Sequence, residues 1–319
     1  MKIREIAEEA GVSTTTVSRV FSHHPNIRKE LRDRVIAVAK KYAYHPKLST
    51  KQRNIVILTQ SKSFYPIQTY VEMVLTELTA ELSSRGYRIE ILPVGNIGRL
   101  DRIQFCGAVS IGAEESLFPN WDENFAVPLI LIDRPVTSKA CNLFSVHSDE
   151  KQAMALAVGY LAENGCKKIG CVVYGEPGIG NIDARVKWTL QALEKRGLPS
   201  HARLVRTSFS EGYVEEIGKL LRLGVDGLFC PGGNAGIIAS YALSLYGKKV
   251  PEDICLIASE RTIFSRYTIP PQTTISQDYA AQAKAAADIF DQHFYKQHSI
   301  PVNTVIPYRL IERDSVMRR

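Results

Sequence analysis

From Asn54 onward the chain alternates short apolar runs with amphipathic stretches, and few folds accommodate that pattern. The strand-like runs are NIVILTQ, YRIEILP, GAVSIG, VPLILID, KKIGCVVY, DGLFCP and DICLIAS. Helical periodicity falls over residues 71–85, 152–163, 184–196, 215–223, 237–246 and 279–297. A strand buried on both faces must be apolar throughout, and helix crossovers between such strands make neighbours parallel. Residues 54–319 exceed one core of usual size, so two doubly wound parallel sheets are expected. In such folds ligands sit beyond the carboxyl ends of the strands, and a cleft between two lobes is the natural pocket.

The first fifty residues follow a different period. Ile3, Ile6, Ala7 and Ala10 are spaced as one face of a short helix over residues 2–9. Gly11 ends it and supplies the left-handed turn, and Ser13 is a good N-cap for a second helix over 14–21. Val17, Val20 and Phe21 form its packing face, opposite Thr14, Thr15, Thr16, Ser18 and Arg19. After Pro25 and Asn26 a third helix carries Leu31, Val35, Val38, Ala39 and Tyr42 on one stripe. Two short helices joined through a glycine turn, with a third across them, form a helix-turn-helix, whose second helix enters the major groove of duplex DNA. Short hydroxyl side chains suit base edges and phosphates, and Arg19 suits guanine or phosphate. His23 and His24 belong to the same basic module, touching phosphate or simply solvated.

The charge distribution agrees. Residues 1–54 hold 12 Lys and Arg against 5 Asp and Glu, a surplus of seven that equals the net charge of the whole chain. The remainder, with 28 of each sign, is neutral. Such concentration is the electrostatic footprint of a nucleic-acid-binding module on a neutral body. No apolar run approaches the about 20 residues that span a bilayer. The N-terminal MKIREIAEEA is charged, so a cytoplasmic protein without a membrane partner is expected. Of six cysteines none forms C-x-x-C and most lie in apolar runs, so buried reduced thiols are expected and no metal site.

The run IREIAEEAGVSTTTVSRVF resembles the DNA-binding domain of the lactose/galactose repressor family (LacI/GalR). The resemblance implies variable specificity positions at Thr14 and Thr15 and common contact positions at Thr16, Ser18 and Arg19. Ser13, His23, Tyr44 and Lys47 complete the DNA-binding set it implies. RDRVIAVAKKYAYHP is similar to the family's third helix and terminal Tyr-x-Pro. Ser22 stands where Asn is usual, and Arg28 replaces the usual serine cap of the third helix, leaving Asn26 as the substitute cap. The connector KLSTKQRN is shorter than the family's hinge helix and lacks its minor-groove leucine at the usual place. Lys47, Lys51 and Arg53 remain available to phosphate, and Leu48 is a substitute wedge.

The body is similar to the family's effector domain, of periplasmic-binding-protein type I fold. YLAENGCKKIGCVV, KKVPEDICLIA, PPQTTISQD and YRLIERDSV carry that likeness almost to the end of the chain. It implies a head over 1–46, a shortened hinge over 47–53 and a two-lobed body over 54–319. Lobe 1 is expected at about 54–147 and 277–304, and lobe 2 at about 148–276 and 305–319. The implied effector contacts are Phe64 and Tyr65 after the first strand, Arg185 in DARVKWTLQAL, Phe209, Glu260 in ASER, and Asp133 at the end of VPLILID. The family's Asn-Asp pair after FxxN is replaced by Gly232 and Gly233, with Asn234 nearby to compensate.

No catalytic constellation appears: no GxGxxG after a strand, GxxxxGK[ST], GxSxG or HExxH. GEPGIG and PGGNAG match no phosphate cradle and read as cleft loops. The expected protein is therefore not an enzyme and needs no cofactor. It is a regulator, most readily a repressor, binding double-stranded operator DNA as a homodimer under control of a small effector, a sugar or glycoside by resemblance. A purine or other polar metabolite is the alternative effector. A binding protein with an inactive head is the alternative function.

Overall fold

A computed structural model of the chain describes residues 2–42, 44, 52–59, 70–209, 212–295 and 300–318. In chain order the elements are α1 (Ile3–Glu9), α2 (Thr14–Phe21), α3 (Lys29–Lys41), β1 (Asn54–Thr59), α4 (Tyr70–Ser84), β2 (Arg88–Pro93), β3 (Gly107–Ile111), α5 (Trp121–Asn124), β4 (Leu129–Ile132) and β5 (Leu143–Ser148). There follow α6 (Glu150–Glu163), β6 (Ile169–Tyr174), α7 (Ile182–Lys195), β7 (Val205–Ser208), α8 (Gly212–Arg222), β8 (Gly227–Cys230), α9 (Ala235–Leu245), β9 (Cys255–Ser259), α10 (Thr262–Tyr267), β10 (Thr273–Ser276), α11 (Tyr279–Tyr295), β11 (Asn303–Ile306) and β12 (Arg309–Ile311). The chain divides into unit 1, residues 1–147 and 279–305, and unit 2, residues 148–278 and 306–319.

Unit 1 contains the three-helix head. Ile6, Ala7, Ala10, Val17, Val20 and Val35 are buried together where its helices meet. Gly11 turns the chain between α1 and α2 at φ +63°, a conformation costly for a side chain. The third helix is capped neither by Asn26 nor by any side chain: Arg28 holds the N-cap position without a capping hydrogen bond.

The unit 1 sheet runs β11-β5-β4-β3-β1-β2, with β2, β1, β3, β4 and β5 parallel. Val56 and Leu58 pack on one face with Leu92, Leu100, Phe105 and Trp121. Phe290 of α11 lies on the other face, so close to Gly107 that a Cβ there would be 2.4 Å from the ring. Unit 2 repeats the plan as β12-β10-β9-β8-β6-β7. Cys171 and Val173 face the cluster that includes Met154 of α6 and Leu193 of α7, whereas Val172 faces Tyr213 and Ile217 of α8 and Ala239 of α9. Burial on both faces explains the unbroken apolar runs.

The structure departs from the strand expectation at sheet edges and, with β5, one strand in from an edge. β5, β7, β11 and β12 are strands although their sequences mix polar and apolar residues, and β12 pairs antiparallel to β10. Five of the six cysteines are buried thiols, whereas Cys141 is exposed. In each sheet the order reverses about one strand: β1 lies between β2 and β3, and β6 between β7 and β8. Ligands of open α/β sheets bind beyond the carboxyl ends of the strands at that reversal.

Candidate nucleic-acid interface and ligand site

The outward face of α2 is built locally. Ser13 Oγ accepts from Thr16 N–H at 3.1 Å and contacts Thr16 Oγ1 at 2.9 Å, fixing the first turn. Thr14, Thr15 and Arg19 project as exposed side chains; Thr16 and Ser18 are half-buried. Ser18 Oγ accepts from Gln52 Nε2 at 2.8 Å. A groove of about 510 Å³ is lined by Thr14, Thr15, Ser18 and Arg19 together with His24, Gln52 and Gln104.

His23 does not lie on that open face. Its residue is 8% exposed, and its imidazole sits 5.0 Å from the Phe105 ring and 4.8 Å from the Phe125 ring. Burial, with the Arg32 guanidinium nearby, pushes its pKa down to about 4, against a smaller pull from Asp101. It is therefore neutral at physiological pH and unsuited to phosphate. Beside it, Ser22 Oγ accepts from Gln104 Nε2 at 2.9 Å, and Arg32 Nη1 donates to the Asn124 carbonyl at 2.6 Å. Tyr44 is half-buried against Phe21, ring centroids 5.9 Å apart. Lys47, Phe64 and Tyr65 lie outside the described residues, as does most of the 47–53 connector.

In unit 2 a polar site forms at the carboxyl ends of β6 and β8. Gly232 and Gly233 adopt φ +92° and +43°, and a Cβ on Gly233 would stand 2.3 Å from the Tyr174 ring. On Gly232 it would stand 2.8 Å from Arg185 Nη1. The glycines thus make room for the tyrosine ring and the guanidinium, which take the space that two polar side chains would need. Asn234 occupies the N-cap position of α9 without a side-chain cap bond.

The two charged residues expected at this site are each paired. Arg185 donates to Glu150 through Nε and Nη2 at 2.8 and 2.7 Å, and Tyr308 Oη adds a third bond at 3.0 Å. Burial opposes the Glu150 charge, but Arg185 together with the Tyr308 and Asn181 hydrogen bonds holds the carboxyl below its ordinary range. Glu260 receives Arg313 at 2.8 and 3.1 Å and the Thr274 hydroxyl. Next to it, buried Arg261 donates Nε to the Gly233 carbonyl at 2.8 Å and Nη1 to the Glu260 carbonyl at 3.0 Å. Phe209, after β7, is 47% exposed. Asp133, in unit 1, is buried at φ +56° after β4 and accepts from Gln282 Nε2 at 2.8 Å.

Gln52, Gln104, Phe105, Phe125, Glu150, Tyr174 and Arg313 escaped the sequence reading. Their partners lie tens of residues away, and none belongs to a local motif. Among the described residues no group of three His, Cys, Asp or Glu side chains is placed to hold a metal. No helix among them is long and apolar enough to cross a membrane.

A helix-turn-helix is a DNA-docking motif, and the switch point of an open α/β sheet is where such folds bind ligands. Residues 2–47 match the family model of bacterial regulatory proteins, lacI family, and residues 158–316 match that of the periplasmic binding protein-like domain. The ribose operon repressor of Lactococcus lactis is 25% identical over 99% of this chain and 98% of its own. The transcriptional repressor PurR of Pasteurella multocida is 26% identical over 99% of each. Among solved structures, the transcriptional regulator CelR–cellobiose complex superposes with a TM-score of 0.72 at 19% identity over 99% of both chains. The lac repressor dimer bound to operator and the anti-inducer ONPF does so at 0.69, with 19% identity and 99% of each chain covered.

Proposed function

We propose that this chain is a sequence-specific transcriptional repressor that binds double-stranded operator DNA as a homodimer and answers to a small polar effector. The observation that carries this reading is the exposed Thr14, Thr15 and Arg19 face of a capped α2, inside the segment that holds the whole positive surplus. The relatives' names, the ribose operon repressor and the transcriptional repressor PurR among them, support it. Mobility shift on a fragment of the chain's own upstream region, against random duplex at two salt concentrations, tests it. Expected are a sequence preference and a steep loss of affinity with salt, about tenfold or more between 50 and 200 mM. Thr14→Ala with Thr15→Ala should remove the preference and spare the salt slope. Equal affinity for random duplex would refute the proposal.

The effector is proposed to bind at the switch-point site of unit 2, through Arg185, Asn234 and Glu260. Paired charges with spare hydroxyl-accepting capacity suit a sugar or glycoside. The ring of Tyr174 over Gly233 favours, as second reading, a flat purine that stacks on it. Buried Arg261 donates to the Gly233 and Glu260 carbonyls and suits an acidic group on either ligand. Thermal shift across neutral sugars, sugar acids, sugar phosphates and nucleosides separates these, because a ligand raises apparent stability by RT ln(1 + [L]/Kd). No shift with any of the four classes would sink the effector proposal.

A further inference from the structure

The head is fastened to the rest of unit 1 at several points, one of them through Gln52 of the connector itself. Ser22, at the end of α2, is fully buried, and His23 follows it into an aromatic cleft. The cleft is stiff. Phe125 stacks on Trp121 at 4.3 Å, and Trp121 Nε1 donates to the Val127 carbonyl at 2.8 Å. His23 enters at φ +40°, a left-handed conformation unfavourable for a residue with a Cβ. Such a conformation persists only where its surroundings over-determine it. Three hydrogen bonds flank the ring: Gln104 to Ser22, Gln52 to Ser18 and Arg32 to the Asn124 carbonyl. The contact leaves Thr14, Thr15 and Arg19 exposed, so it holds the helix without covering what the helix reads.

We infer that Gln52, Gln104 and the Phe105–Phe125 cleft form a seat that locks the recognition helix to unit 1 as one body, making them positioning residues for DNA reading. The seat rests on the proposed function. Through it a displacement of unit 1 becomes a displacement of α2. A duplex presents half-sites at about 3.4 Å and about 35° per base pair. A locked head therefore tolerates one spacing, and a loose head several. Gln52 and Gln104 also line the groove beside Thr14, Thr15 and Arg19, so their amides border the bases or phosphates that enter it.

The test uses the full chain, its Gln104→Ala/Phe125→Ala variant and a His23→Gly variant. Glycine accepts φ +40° without strain, so any loss in His23→Gly reports the missing ring and not the backbone. First, without DNA, histidine NMR follows the His23 ring, assigned by its disappearance in His23→Gly. Arg32 and Asp101 are the charged groups that act on it. The seat is supported if the ring titrates well below the free value in the parent and returns to about 6.5 in the double variant. Titration near 6.5 in the parent overturns it. Second, duplexes bearing the half-site enriched from a random pool are built with spacings one base pair apart. The parent should lose about tenfold or more for one added pair, and both variants about threefold or less. Unchanged spacing dependence in variants that keep the parent's melting temperature overturns the positioning role. If the parent selects no sequence, the operator proposal fails and the spacing role with it, while the titration still decides whether the seat exists.

Discussion

At the scale of single residues, His23 couples the head to pH. Its ordinary value is about 6.5, and in the folded chain it is pushed down to about 4 by burial. A released head binds more protons than a seated one between those values. The seat is at full strength above about 6.5 and weakens as pH falls towards 4. At pH 5 the loss is about 2 kcal/mol. Hydrogen exchange of the amides around Ser22 and His23 should therefore accelerate between pH 7 and 5 after correction for intrinsic rates, and not in His23→Gly. Glu150 is a second such residue. With Arg185 it forms a pair whose side chains are 11% and 15% exposed. Glu150→Gln leaves the guanidinium buried without its charge partner, at a cost of about 3 kcal/mol. Urea unfolding should show the midpoint fall at constant slope; an unchanged midpoint would mean that the pair contributes nothing net.

At the scale of elements, α2 is short and depends on its cap. Eight residues are too few for a stable isolated helix, so the Ser13 bond to Thr16 N–H and the packing of Val17 and Val20 hold it. Ser13→Ala should destabilise the head by about 1 kcal/mol. Because Ser13 also stands on the proposed DNA face, Ser13→Asp is the control: it restores the cap, and the head's melting temperature should recover with it. The sheet elements follow a different logic. β3, β4 and β8 are buried along their whole length, and their stability comes from packing on both faces and not from local capping.

At the scale of the whole molecule, unit 2 exposes apolar side chains that water alone does not favour. Tyr241 and Leu245 on α9 are 62% and 60% exposed, and Tyr267 and Ile269 at the end of α10 are 78% and 98% exposed. Exposed apolar side chains of this kind suit a protein interface, and for the proposed homodimer they are the surface we propose a second copy covers. Tyr267→Asp should shift the sedimentation equilibrium towards monomer and weaken binding to a two-half-site duplex far more than to a single half-site. Wild-type dimerisation by the variant would place the interface elsewhere.

What the sequence determined by itself is whatever neighbours along the chain decide. Gly11, Ser13 and the apolar period specify the head, because turns, caps and helix faces involve residues within about four positions. Unbroken apolar runs specify the central strands, because burial on both faces admits nothing else. Edge strands such as β7 and β12 were not legible, since half-exposed positions impose no such constraint. The tertiary structure alone decided the partners. Arg185 meets Glu150 across 35 residues and Glu260 meets Arg313 across 53, giving each expected ligand contact a charge partner. Ser22 meets Gln104 across 82 residues, and His23, a basic residue by sequence, becomes a neutral ring in an aromatic cleft. Its charge state is set by desolvation, and desolvation exists only once distant parts of the chain have packed around it.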